Sequence, residues 1–231
     1  MELCVETLSV WVPGITEKND LLPWLMGKLE LISDKKALPN LSFIPAMQRR
    51  RMTSLSKLTT ALIHSLQDKL CPNTKLYFVS LTGETERQLQ INSMVLQDEE
   101  VLPATFSTSV FNTPPAMASI VLGLKNGYSA LYPLPQNFFS AVQCVFSSVL
   151  CGNSSQVLMV YGDVQSPKEY QALEGACNET WGFATLLKLG QGRSEQTLNI
   201  LDFSEKSIKK PQDFFLKLLQ GNLSLLNLIS E

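Results

Sequence analysis

Hydrophobic and polar positions alternate well enough over Leu3–Val12 to predict a strand, with Val5, Thr7 and Ser9 opposite Leu8, Val10 and Val12. Pro13-Gly14 ends it. The period then lengthens: Leu22, Leu25, Met26 and Leu29 predict a short amphipathic helix over Leu21–Leu31, followed by a loop with Pro39 and Pro45. The clearest helix repeats leucine at three to four residues, through Leu55, Leu58, Leu62, Leu66 and Leu70. Thr53 or Ser54 can cap it and Pro72 stops it. Leu76–Leu81 is a continuous apolar run of strand length between Lys75 and Thr82-Gly83. Glu84–Gln97 then reads as a helix with Leu89 and Val95 inward.

After Pro103, Phe106–Val110 reads as a short strand. Pro115 suits the first turn of a helix over Ala116–Leu124, with Gly123 or Gly127 ending it. Tyr128–Tyr132 is a strand, Pro133–Asn137 a turn, Phe138–Leu150 an apolar helix and Val157–Tyr161 a buried strand. Beyond Asp163 the pattern gives a strand at Trp181–Leu189, a loop at Gly190–Glu195, a short strand at Leu198–Leu201 and a last helix at Asp213–Leu219. Strands alternating with helices predict a layered α/β domain, for which 231 residues is an ordinary size.

Charge changes that picture in one place. From Val101 to Gly162 the only charged residue is Lys125, where the chain-wide share of 17% would put about ten. So much neutral sequence belongs in a core or against another chain. Pro114, Pro115, Pro133 and Pro135 break the run, and Phe138–Leu150 is shorter than the roughly 20 residues a membrane span needs. Glu2 and Glu6 stand where a signal peptide would carry basic residues, so a cytoplasmic chain is expected. A net charge of −2 gives no general case for nucleic acid or an anionic membrane.

Candidate chemistry is sparse. Five scattered cysteines (Cys4, Cys71, Cys144, Cys151, Cys177) without CxxC read as reduced thiols, and Cys144 and Cys151, seven apart on one helix face, as small core residues. With His64 the only histidine, no metal site and no cofactor are expected. The turn after Tyr132 leads into an uncharged helix N-terminus, whose amides and dipole favour an anion or thiolate. Yet the residues there are Pro135, Gln136 and Asn137, and amides are poor nucleophiles. Ser140 reads as a packed small residue, His64 as a partly buried structural histidine and Glu84 as a helix cap. Arg49-Arg50-Arg51 reads as a solvated helix entrance, as partners of the chain's own carboxylates, or as a grip on an acidic carrier protein or phosphate.

Four stretches in this order resemble the N-terminal half of a β-ketoacyl synthase of the thiolase fold. They are Leu8–Gly14, Phe43–Met52 running into Leu55 and Leu58, Phe106–Ala116 with its Asn112, and Gly123-Leu124 through Ser140. The likeness spans residues 1–165 and implies a layered α/β/α domain around a mixed sheet, which residues 166–231 complete as a divergent extension. Aligned on that last stretch, the family's catalytic cysteine falls at Pro135 or Gln136. Loss of this cysteine, often to glutamine, is typical of chain-length factors, the inactive partners of type II ketosynthases. The chain is similar to the short chain-length-factor proteins of bacterial aryl polyene clusters, because synthases have a second half for which 231 residues leave no room.

The resemblance implies a non-catalytic subunit that pairs with a full-length β-ketoacyl-carrier-protein synthase and shapes its acyl tunnel. Tyr128, Ser129, Ala130, Leu131 and Tyr132 would meet the partner across the two-fold. Phe106, Phe111, Asn112, Thr113, Met117 and Phe138 would face partner and tunnel, with Arg49, Arg50 and Arg51 toward a carrier protein. The competing expectation is a stand-alone acyl-transfer or thioester-cleaving enzyme using Cys144 or Ser140 with His64.

Overall fold

The computed structural model describes residues 2–30, 37–152, 154–190 and 197–230. Seven strands form one mixed sheet: β1 (Glu2–Trp11), β2 (Lys75–Val79), β3 (Tyr128–Leu131), β4 (Gln156–Asp163), β5 (Trp181–Leu189), β6 (Thr197–Asn199) and β7 (Leu226–Leu228). Their order is β3-β2-β4-β5-β1, with β6 and β7 both on the outer edge of β1. The β3, β2 and β4 strands are parallel; β5 then runs antiparallel to both β4 and β1.

Every residue of β4 is buried, as a central strand with both faces covered requires. Alternate residues sort onto two cores. Val157, Met159 and Tyr161 of β4 pack with α7 (Phe139–Leu150) and α8 (Pro211–Leu219), beside Leu21 and Trp24 of α1 (Lys18–Leu25). Leu158 and Val160 pack on the other face with Leu58, Leu62 and Ile63 of α3 (Ser54–His64) and Ala118 of α6 (Thr113–Leu122). The fold is thus the layered α/β/α arrangement with a mixed central sheet. On the remaining elements, α2 (Ala46–Arg49) precedes α3, while α4 (Thr85–Asp98) and α5 (Pro103–Ser107) connect β2 to α6.

Several expectations are corrected. In β1, Leu3 and Val5 share a core with Leu8 and Val10, because a bulge at Glu6 shifts the register between Val5 and Thr7 and restores the inward face. The Phe106–Val110 segment is not a strand; Pro103 starts α5, and the Ser107 and Thr108 hydroxyls donate to the Ala104 carbonyl at 3.0 and 3.2 Å. The α1 helix stops at Leu25, where Gly27 takes φ +67°, and residues 31–36 lie outside the described residues. Likewise α3 ends at His64: the Ser65 hydroxyl donates to the Leu62 carbonyl at 2.7 Å, and a 3-10 turn replaces the expected helix to Leu70. No described residue of α4 is buried, and Val95 faces solvent. Cys144 on α7 and Cys151 just past its end are both exposed, not small core residues. The loop expected at Gly190–Glu195 falls, after Gly190, outside the described residues.

Candidate functional site

The strand-turn-helix from β3 to α7 forms as expected, and its backbone resolves which residue occupies the sharp turn. Gln136 takes φ +61°, one of two described non-glycine residues with positive φ, the other being Glu99. Proline cannot adopt that angle, so Pro135 precedes the strained position and Gln136 holds it. Beside Gln136 opens a cleft of about 380 Å³, reached also by Tyr161, Cys177, Glu179, Lys209 and Lys210. Burial pushes Cys177 well above the usual thiol range, and the nearby Asp163 adds to that.

The anion-binding promise of the α7 N-terminus is not met. Every backbone amide from Asn137 to Val142 donates to a carbonyl of this chain. The Phe138 amide reaches Lys209 at 3.1 Å and the Phe139 amide reaches Ile208 at 3.2 Å, both in the segment before α8.

Two buried carboxyls stand at the ends of the neighbouring strands β2 and β4. Asp163, closing β4, accepts from the Ser80 and Thr82 hydroxyls (2.5 and 2.6 Å) and from the Leu81 and Thr82 amides (2.9 and 3.0 Å). It thereby fixes the turn after β2. Desolvation raises its pKa against the pull of those bonds. Glu84, buried at the start of α4, accepts from the Thr53 hydroxyl at 2.6 Å, and burial pushes its pKa up to about 7. Sequence reasoning took Glu84 for a cap and passed over Asp163; the available signal was one carboxylate closing an otherwise apolar strand. Glu84 is indeed at the N-cap of α4, without capping the helix through its side chain.

That fixed turn presents Gly83 to Phe111. A Cβ on Gly83, which has φ +61°, would stand 2.7 Å from the Phe111 ring. Phe111 also packs on Phe78 and edge-on to Tyr132, with centroids 5.9 and 5.5 Å away. The Asn112 amide donates to the Tyr128 hydroxyl at 3.2 Å. Phe111, Asn112, Tyr128 and Tyr132 therefore meet on one surface, with Ser129, Ala130 and Leu131 half-buried on β3 between the two tyrosines. Phe106 and Tyr132 are each 59% exposed. Three expected residues are placed differently. Thr113 is buried, Met117 packs toward Leu41, Ile44, Met52 and Ala61 inside the chain, and Phe138 is fully buried against Tyr161 and Phe214. Phe138 therefore offers no surface.

The pairing of His64 with Ser140 or Cys144 is contradicted by the layers. His64 ends α3 on one face of the sheet, and the other two sit on α7 on the opposite face. Nor is His64 buried: it is exposed and stacked on Phe43 at 3.6 Å between centroids. Arg50 and Arg51 are exposed and Arg49 half-buried, and none forms an ion pair with a described carboxylate. Among the described residues no group of three or more histidines, cysteines or carboxylates could hold a metal, and no helix is long and apolar enough to cross a membrane.

The family model for the β-ketoacyl synthase N-terminal domain matches residues 24–226. The chain belongs to that family. Among solved structures, this β-ketoacyl synthase domain is similar to the complex of a ketosynthase, ApeO, with its chain length factor, ApeC, from Xenorhabdus doucetiae. The TM-score is 0.70 at 24% identity, over 83% of this chain and 81% of the matched one. A ketosynthase from module 1 of the bacillaene synthase of Bacillus amyloliquefaciens FZB42 superposes with a TM-score of 0.56 at 16% identity, over 81% of this chain and 42% of that one. The ishigamide ketosynthase/chain length factor gives 0.58 at 11%, over 82% and 63%. This chain thus spans under two thirds of those last two. No curated protein matches it.

Proposed function

We propose that this chain is a non-catalytic chain-length-factor subunit. It pairs with a full-length β-ketoacyl-carrier-protein synthase, stabilises it and helps shape its acyl tunnel during polyketide or polyene elongation, as in aryl polyene biosynthesis. The observation that carries the reading is Gln136. A ketosynthase-family chain holds an amide at the strained turn between β3 and α7, the turn to which the resemblance assigns the family's nucleophile. The matched chain in the ketosynthase–chain length factor complex is covered nearly as fully as this one, so the two are of similar length.

The sheet edges support partnership. The outer edge of β1 is closed by two three-residue strands, β6 and β7, on either side of the Glu6 bulge. At the other end β3 pairs only with β2, carries no charge and leaves its second edge without a described strand. Tyr132 and Leu134 stand exposed just beyond it in the chain, and a partner strand against β3 would bury this surface. In this reading residues 166–231 complete the same domain as 1–165, since β5 lies between β4 and β1. Arg49–Arg51 remain available to a carrier protein, and the chain acts in the cytoplasm.

Reconstituted condensation tests the role. Ketosynthase with this subunit should elongate carrier-bound acyl chains to a defined length, and without it should lose activity or change product length. Equal rates and products in both arms would refute the role.

A further inference from the structure

We propose that the segment Phe203–Pro211 is a lock on the N-terminus of α7, closing this subunit's own turn to anion and thiolate chemistry independently of the missing cysteine. The first amides of a helix have no intrahelical partner, and that vacancy is what lets a helix start hold an anion. Here the vacancy is filled. The carbonyls of Lys209 and Ile208 accept from Phe138 and Phe139.

The segment is anchored at both ends, so the bonds are not incidental. Phe203 packs edge-on against Phe146 of α7 at 5.3 Å, and the Ile208 amide donates to the Ser204 carbonyl at 2.9 Å with the Ile208 side chain fully buried. On the far side, the Lys209 and Lys210 amides donate to the Asp213 carboxylate in the first turn of α8, at 3.0 and 2.9 Å. Peptide dipoles that would lower the pKa of a thiol at position 136 are therefore already opposed by carbonyl oxygens. The other charged or titratable groups around the cleft are Lys209, Lys210, Glu179, Cys177 and Tyr161, with Asp163 behind them. Both lysines are exposed and face a cleft that also holds Glu179, so their help to a thiolate is screened and partly cancelled. Putting cysteine back at 136 is thus insufficient to regain a ketosynthase nucleophile.

Amide hydrogen exchange on the full chain, alone or in complex, tests the lock without altering it. The Phe138 and Phe139 amides should exchange on the order of 100-fold slower than unprotected amides, because both are bonded. Exchange at the unprotected rate would overturn the proposal while leaving the partner reading untouched. A second measurement uses Gln136→Cys and follows iodoacetamide alkylation of that peptide by mass spectrometry across pH, which separates it from exposed Cys71, Cys144 and Cys151. The expected half-point is that of an ordinary thiol, about 8.5. A half-point below about 7 would overturn the lock.

Discussion

Replacing Glu84 by glutamine removes a carboxyl that the fold holds in its protonated form well above the ordinary range. The Glu84 pKa is pushed from 4.5 to about 7 by burial, with the Thr53 and Ser56 hydroxyls and Arg87 pulling the other way and Glu86 adding to the rise. A carboxyl whose folded pKa lies above its unfolded one makes the native state bind the extra proton. Stability therefore falls as pH rises from about 4.5 to about 7 and levels off above that. At about 1.4 kcal/mol per pH unit, the gap between the two pKa values amounts to about 3 kcal/mol. Glutamine can still accept from the Thr53 hydroxyl and has nothing to ionise. Glu84→Gln should therefore match the wild type near pH 4.5 and exceed it by about 2–3 kcal/mol at pH 8. Urea unfolding followed by fluorescence of the buried Trp11, Trp24 and Trp181 gives both numbers; with m near 3 kcal/mol/M the midpoint at pH 8 should rise by about 1 M. Asp163, whose pKa is also raised, contributes a slope of the same sign to both proteins, so the difference between them isolates Glu84. Equal midpoints at pH 8 would mean that Glu84 is ionised in the folded chain and held there by the starts of α3 and α4, which would refute the reasoning.

Other substitutions probe the same surface. Asp163→Ala strips the acceptor from two hydroxyls and two amides and should cost about 2–4 kcal/mol in thermal or urea unfolding. Gly83→Ala meets both a positive φ and the Phe111 ring, so a loss of about 1–3 kcal/mol is expected, together with weaker association with the ketosynthase, read by unfolding and by pull-down. Ser129→Asp puts a charge in the middle of β3 at a half-buried position outside the core clusters; binding to the ketosynthase should drop at least about tenfold by titration while the circular dichroism of the free chain stays unchanged.

Much of the frame was legible because its signals were local. Trp181–Leu189 has the same bounds in sequence and structure, and Thr53 caps α3 through the Ser56 amide at 3.0 Å. What escaped depended on partners far along the chain. The β7 strand is three residues long and exists because the β1 edge between Leu8 and Val10 is open to it. The Glu6 bulge is invisible to a period-two pattern, since it serves to break that pattern. Spacing suggested a shared helix face for Cys144 and Cys151 and small size a place in the core, yet both are exposed, because spacing alone does not say which side of a helix faces inward. Around the turn, the resemblance left the family's nucleophile position at Pro135 or Gln136, and no local pattern announced that Gln136 is the one with positive φ. The buried pair Asp163 and Glu84 and the lock at Ile208–Lys209 join residues 31 to 83 positions apart, beyond any local signal.

The most direct test is the mass of the complex formed when this chain is co-expressed with a full-length β-ketoacyl synthase. A stable one-to-one heterodimer that falls apart with Ser129→Asp is the predicted result. A chain that purifies as a monomer and leaves the synthase alone would contradict the account.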